Sequence, residues 1–417
     1  MNEPKPDARA VASLVEEAHR RHWSAVLAAT VRLTRDLDLA EDCAQDAYVR
    51  ALRGWPDGAP DNPAAWLTTV ARRTALDRLR REETLRRKLP LLLIEGERDD
   101  DPDRSTDPLR LIFTCCHPSL SRDSQVALTL RLMCGLTTQE VAAGLLVQEA
   151  TTAARITRAK RKIAAAAIPF KIPADDELPA RLDVVLTVVH LVFTAGHTAA
   201  GEDLMRADLT ERATDLARML AGLMPEEPEV QGLLALLLLS QARGGARVAA
   251  DGELVLLADQ DRGRWDARSI HEGVARATAA LRQGKGRFTL QAAIAGLHSV
   301  APSWELTDWA QVVRMYDALL LAWSSPIVAL NRAAAQSLVS GADLDAVLAD
   351  LDRLCADATL RSYAYLPATR ADVLVRLGRA AEAKTAYGDA ISLTHNEKER
   401  RFLRHRRDEL DPPGQVS

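Results

Sequence analysis

From Thr137 onward, the apolar positions recur at helical spacing. Thr137 followed three residues later by Glu140 has the form of a capping box, in which hydroxyl and carboxylate satisfy each other's backbone N–H groups; Val141 and Leu145 then supply an apolar face. After "LLVQ" a second helix is predicted from about Glu149. Thr152, Ile156, Ala159 and Ile163 fall on one stripe, Thr151, Arg155, Arg158 and Lys162 on the other, with Ala154 and Arg161 at the edge. One face packs and the other is basic. A further helix over 121–135 completes the layout of a helix-turn-helix, whose second helix enters the major groove. In that reading Arg155 and Arg158 reach guanine edges, Lys160, Arg161 and Lys162 meet phosphates, and the small Ala153 and Ala154 permit close approach. A solvated basic helix face has the same pattern, and this stretch alone leaves both readings open.

The rest of the chain is also patterned for helices. Ala and Leu crowd nearly every segment and aromatics make up only 4% of 417 residues, which favours helix over sheet and predicts an all-α protein. "LVRLGRAAEAKTAYGDAISL" (374–393) sets Leu377, Gly378, Ala383, Tyr387, Ala390 and Ile391 where paired antiparallel helices need small or packing residues. "LNRAAAQSLVSGADLDAVLADLDRL" (330–354) repeats the pattern. Gly341 precedes Gly378 by 37 residues, close to the ~34-residue tetratricopeptide period. A plain helical bundle fits the same segments.

Charge divides the N-terminal part. Between 72 and 88 eight basic residues face three acidic ones, a local balance of +5, although the whole chain carries −4. "EGERDDDPDRSTDP" (95–108) then reverses to −5 with two prolines and no apolar side chain, the composition of a flexible acidic linker. "IPFKIPADDELP" (168–179) marks a second hand-over. The predicted domains are 1–92, a linker at 93–108, 109–172 and a helical section at 173–417.

Candidate chemistry changes this picture little. The five cysteines (Cys43, Cys115, Cys116, Cys134, Cys355) form no pair of CxxC spacings, and "CCHP" (115–118) suits buried structural thiols better than a tetrahedral metal site. "DQDRGRWD" (259–266) and His271-Glu272 lack the companions of a zinc-protease helix, and "GKG" (284–286) lacks the rest of a phosphate loop. A buried salt-bridge network joining helices is expected there instead. No catalytic residue, metal or cofactor is assigned. The N-terminus is polar, and the longest strongly apolar run, "LLALLLL" (233–239), falls short of the roughly 20 residues that span a bilayer, so a cytoplasmic protein is expected.

Three stretches, "AEDCAQDAYVRAL", "NPAAWLTTVARRTALDRLRR" and "GLTTQEVAAGLLVQEATTAARITRAKRK", resemble the two domains of extracytoplasmic-function (ECF) sigma factors, which give bacterial RNA polymerase its promoter specificity. The resemblance implies that the helix over Asp36–Leu52 docks on the polymerase clamp through Leu39, Glu41, Asp42, Gln45 and Asp46. It implies that the loop Trp55–Pro63 and helix Ala65–Arg81 recognise and melt the minus-ten region, with Asn62, Trp66, Arg72, Arg73, Arg78 and Arg80 in those roles. Trp66 fits a core position as well as a base-stacking platform. The minus-thirty-five duplex falls to Thr151, Ala154, Arg155, Thr157, Arg158, Lys160, Arg161 and Lys162. Gln148 departs from the Ser that often caps the recognition helix, and Ala153 and Ala154 replace commonly polar residues, which shifts reading toward DNA shape.

The long extension resembles the ECF subgroup with a tetratricopeptide-like C-terminal domain through "GELVLLADQDRGRWD", "QAAIAGLHSVAPSWELTDW", "SPIVALNRAAA" and "YLPATRADVLVRLGRAAEAKTAYGDAI". It departs at His190, Thr194, Ala195 and His197, where relatives tend to show Tyr, Asn, Glu and Tyr. The expectation is a non-enzymatic sigma factor, nucleoid-associated during initiation, partnering core polymerase and promoter DNA and regulated by its own C-terminal domain through a protein or small-molecule signal. The alternatives are a free-standing helix-turn-helix regulator with a helical sensor domain, and a helical scaffold or enzyme with incidental basic faces.

Overall fold

The computed structural model describes residues 8–55, 59–86, 107–145, 147–197, 207–247, 249, 255–394 and 397–410. Among them the regular structure is helical throughout, with no strand. Most of the linker expected at 93–108 lies outside the described residues. Its last two residues, Asp107 and Pro108, are instead buried at the start of a helix. Chain contacts group into two compact units, Met1–Ala195 and Gly196–Ser417.

In the first unit α1 (Ala8–Thr34), α2 (Leu37–Gly54) and α3 (Pro63–Arg86) pack on one another. Asp36 starts α2 by accepting from the N–H groups of Asp38 and Leu39 at 2.8 and 2.9 Å, and Asn62 starts α3 by accepting from Ala65 N at 3.0 Å. Leu27, Ala40, Ala44, Ala47, Leu67 and Ala71 are fully buried between the three helices. The many alanines allow close approach of the backbones.

Next come α4 (Asp107–Cys115), α5 (Arg122–Leu128), which continues into a π-turn at Thr129–Met133, α6 (Thr138–Gly144) and α7 (Glu149–Ala165). The predicted capping box is present: Glu140 accepts from Thr137 N at 2.6 Å and Thr137 Oγ1 accepts from Glu140 N at 3.1 Å. Gln148 precedes α7 without a side-chain cap. Thr152, Ile156, Ala159 and Ile163 are the buried stripe of α7, the two isoleucines contributing roughly 1.5–3 kcal/mol each. These elements fold back onto α1. Trp23 Nε1 donates to Leu132 O at 3.0 Å, and the Asp107 carboxylate faces Arg32 at 3.3 Å. Gly135 closes the contact at φ +70°, where a Cβ would lie 2.6 Å from His19 Cε1 and 2.9 Å from Trp23 Cγ.

α8 (Leu178–His197) contains the division between units in its last turn. By length and composition Leu178–Gly196 is apolar enough to cross a membrane, with mean hydropathy 1.6, although polar residues interrupt it. Its buried positions Leu182, Val185, Leu186, Val188, Val189, Val192, Phe193 and Gly196 follow helical spacing, while Asp183 and Leu191 are exposed. That is the pattern of a core helix.

The second unit comprises α9 (Ala207–Leu223), α10 (Pro228–Ala242), α11 (Ala267–Gln283), α12 (Arg287–Val300), α13 (Trp309–Ala322), α14 (Pro326–Ser337), α15 (Leu344–Leu354), α16 (Tyr365–Arg376), α17 (Ala380–Leu393) and α18 (Glu397–Asp408). The run "LLALLLL" belongs to α10, which is buried nearly all round by α9, α11 and α12. From α12 to α18 each helix packs on the next, a succession of hairpins. Ala383, Tyr387 and Ala390 are buried in the cluster joining α14 to α18, and the Tyr387 hydroxyl donates to Asp372 at 2.5 Å. Of the salt-bridge network expected over 259–266 and His271-Glu272, the Glu272 part forms, half-exposed rather than buried, pairing with Arg218 of α9 at 3.1 Å and Arg276 of its own helix at 3.0 Å; at 259–266 no ion pair is present among the described residues. Asp261 and Asp266 instead accept backbone N–H groups at the starts of a short 3-10 turn and of α11, because a carboxylate beside a helix N-terminus satisfies donors that have no partner within the helix.

Candidate nucleic-acid interface

α2 presents a mixed face. Asp42 and Gln45 are exposed, and Leu39 and Asp46 are half-buried. Glu41 differs. It is only 4% exposed, and it accepts from Lys160 Nζ at 2.7 Å and from Gln45 Nε2 at 3.3 Å while pairing with Arg131.

On α3, Arg73 and Arg80 are exposed and Arg72 half-buried. Arg78 turns toward α2, pairing with Asp46 at 2.6 Å and Asp42 at 3.5 Å. One arginine from the minus-ten set and two carboxylates from the polymerase set therefore form one cluster. Trp66 is half-buried and meets the buried Trp55 edge-on, ring centroids 5.6 Å apart. The indole thus packs on one side and leaves another side open. Asn62, expected to touch DNA, caps α3. Of the loop Trp55–Pro63, residues 56–58 lie outside the described residues.

On α7, Thr151, Ala154, Thr157, Arg158, Arg161 and Lys162 are exposed, opposite the buried stripe. Arg155 is held by Asp123 at 3.1 Å, and Lys162 Nζ donates to Ser119 O. Arg158 and Arg161 are the cations on this helix presented to solvent without such a tether. Lys160 does not join this face. It crosses to α2 and contacts both Asp38 and Glu41 at 2.7 Å. Burial works against its ammonium, but the Glu41 and Asp38 carboxylates outweigh that and raise its pKa, so Lys160 stays charged.

The structure therefore brings together residues that sequence reasoning assigned to separate jobs. Glu41 of α2 is enclosed by Lys160 of α7 and by Arg131 of the π-turn. Asp38 and Arg131 carried no signal in their own segments. Asp38 reads as an ordinary acidic residue in a first helical turn, and Arg131 as a lone charge among apolar neighbours. Only the folding of α4 and the π-turn against α1, and of α7 against α2, gives them partners.

The cysteine cluster is sealed. Cys115, Cys116 and Cys134 are buried, burial pushes the Cys116 thiol up to about 12 and the Cys115 thiol well above its usual range, and Cys116 Sγ lies 3.5 Å from Thr129 Oγ1. Neutral enclosed thiols are structural groups.

Comparison with known proteins matches these elements in order. Sigma-70 region 2 matches residues 18–84, across α1–α3, and Sigma-70 region 4 matches residues 110–163, across α4–α7. A family of unknown function (DUF6596) matches residues 181–281. The uncharacterized protein R00370 of Rhizobium meliloti (strain 1021) is 41% identical over 396 residues, covering 92% of this chain and 93% of that protein. The probable ECF RNA polymerase sigma factor SigI of Mycobacterium tuberculosis (strain CDC 1551 / Oshkosh) is 30% identical over 157 residues, 36% of this chain and 54% of that protein. The ECF RNA polymerase sigma factor SigK of Mycobacterium sp. (strain KMS) is 31% identical over 159 residues, 36% of this chain and 79% of that protein. No solved structure matches. Regions 2 and 4 in sequence, and an alignment that spans most of SigK, carry one conclusion: this chain belongs to the ECF RNA polymerase sigma factors, initiation factors that perform no covalent chemistry.

Proposed function

We propose that the chain directs transcription initiation by docking α2 on core RNA polymerase, opening the minus-ten region with α3 and its preceding loop, and gripping the minus-thirty-five duplex with α7. The helical section beyond α8, which we read as tetratricopeptide-like, regulates this activity from within the same polypeptide. The observation that carries the DNA reading is the division of α7 into a buried stripe and an exposed face bearing Arg158 and Arg161. Exposed Asp42 and Gln45 supply the acidic and amide groups that suit a basic partner helix.

The enclosure of Glu41 adds a requirement to this reading. Lys160 does not reach a DNA phosphate while it holds Asp38 and Glu41, and Glu41 does not meet polymerase while Lys160 and Arg131 cover it. The form with α7 and the π-turn against α2 is therefore a closed state, and engagement with polymerase separates regions 2 and 4. Run-off transcription with purified core polymerase on a promoter found by genome-wide mapping tests the function. Specific transcripts that need this chain, and fall away when Asp42 and Gln45 are replaced by alanine, are the expected result. DNA binding that persists without core polymerase, together with no promoter-specific transcript in its presence, rejects the sigma reading in favour of a free-standing regulator. Removal of residues 196–417 is expected to change the transcript yield; an unchanged yield rejects the regulatory role.

A further inference from the structure

At the end of α10 the second unit gathers positive charge with no carboxylate in ion-pair contact among the described residues, the Glu305 carboxylate acting on Arg262 only from beyond that reach. Arg243 follows the last residue of α10, Arg262 lies in the 3-10 turn before α11, and His298 sits in the last turn of α12. Ala242 and Asp266 tie the first two segments together, Asp266 N donating to Ala242 O at 3.0 Å. Arg262 reaches α12, where one Nη donates to His298 O and Ala301 O, each at 2.7 Å. Its guanidinium carbon lies 4.5 Å from the centre of the Trp265 ring. His298 packs against Trp304 and Trp309, ring centroids 6.4 and 5.3 Å away.

Four polar atoms in this cluster are enclosed and have no hydrogen-bond partner among the described residues: Arg243 Nε, the second Nη of Arg262, Trp265 Nε1 and His298 Nδ1. Among the described residues no ion pair engages either arginine. Burial opposes the Arg262 charge while Glu305 favours it, and the positive charges act on one another. Burial, then the Arg247 and Arg262 charges, lower the Arg243 pKa to about 10, and burial, then Arg243 and Arg262, hold His298 near 4. A purely structural account covers part of this, since Arg262 caps the carbonyl end of α12. It gives no reason for Arg243, whose enclosed Nε has no hydrogen-bond partner among the described residues, nor for the enclosed Trp265 and His298 nitrogens. Folded proteins rarely leave one enclosed donor without a partner, and a cluster of them beside like charges is the arrangement that an anion completes.

We propose that Arg243, Arg262 and His298 form a binding site for the oxyanion of a small molecule, a carboxylate or a phosphate, with the Trp265 indole N–H as a further donor. The site lies within the C-terminal unit, on residues assigned no contact with polymerase or DNA. It gives the regulatory section a ligand of defined chemistry.

The test uses the full chain, titrated calorimetrically with inorganic phosphate and, separately, with benzoate, at constant ionic strength. The expected result is saturable binding of one of them, which identifies the class. Arg243→Met weakens that binding at least about tenfold, as loss of a charge-assisted contact does. Arg243→Lys recovers part of it, and Arg268→Met, an exposed neighbour of equal charge, leaves it unchanged. Anion-free Arg243→Met unfolds in urea no earlier than the parent, because an uncompensated enclosed cation has been removed; a structural arginine moves the midpoint the other way. Absence of saturable binding of both anions to the parent protein overturns the proposal. So does undiminished binding by Arg243→Met, or its earlier unfolding.

Discussion

Replacing Arg131 by methionine separates a clasp from a plain structural residue by the sign of its effect. Arg131 pairs with Glu41, which is 4% exposed, and Arg131 also donates to Leu136 O at 2.8 Å. It is assigned no contact with polymerase or DNA, so its loss acts through the clasp. Removing one member of a buried ion pair costs roughly 3–5 kcal/mol. Here Lys160 remains 2.7 Å from Glu41, and the Arg131 side chain is 19% exposed, so about 1–2 kcal/mol is the expected cost to the closed arrangement. At about 1.4 kcal/mol per factor of ten, the open form gains about five- to thirtyfold. While the closed form predominates, apparent affinity scales with the open fraction, and core polymerase binds the variant more tightly by the same factor. Fluorescence anisotropy of labelled chain titrated with core polymerase measures this, and circular dichroism checks that helix content is kept. Unchanged or weaker binding by a folded Arg131→Met protein refutes the closed-state reasoning.

Other outcomes follow from particular residues. Gly135→Ala places a methyl 2.6 Å from His19 and 2.9 Å from Trp23 at a backbone φ of +70°, and is expected to lower stability by about 1–3 kcal/mol, read from the urea midpoint. Arg158→Ala is expected to weaken promoter retention in the polymerase complex by about 1–3 kcal/mol and to relax preference at one minus-thirty-five position, whereas Arg161→Ala weakens all sequences alike and reduces the salt slope by about one, both measured by filter binding across a salt series. Burial holds His298 at about 4 in the fold against an ordinary 6.5. The unfolded chain therefore takes up the proton first as pH falls below 6.5. The associated stability is present above that value and drains away toward pH 4, by about 3 kcal/mol at most. His298→Gln flattens that slope in urea melts from pH 7 to 4, and an unaltered slope contradicts the assignment.

Much of this protein was legible in the sequence wherever the physical cause acts within a turn or two of helix. The Thr137–Glu140 capping box, the buried stripe Thr152, Ile156, Ala159 and Ile163, and the packing positions Ala383, Tyr387 and Ala390 all follow from helical spacing and local hydrogen bonding. The family followed from the order of the same segments. The fate of charged side chains was not legible in this way, because a carboxylate or guanidinium finds its partner across the fold. Glu41 looked like an exposed docking group and is enclosed by Arg131 and Lys160, from positions 90 and 119 residues further along. Arg78 looked like a DNA contact and pairs with Asp42 and Asp46. Arg262 looked like a member of a salt-bridge network within its own segment and instead donates to the His298 and Ala301 carbonyls, with Glu305 acting on it from farther away. Sequence determined which helices form and which face of each is apolar, since those depend on neighbours three and four residues away. Tertiary structure alone decided which charges meet, because electrostatic pairing depends on distance in space and on the water excluded between the partners.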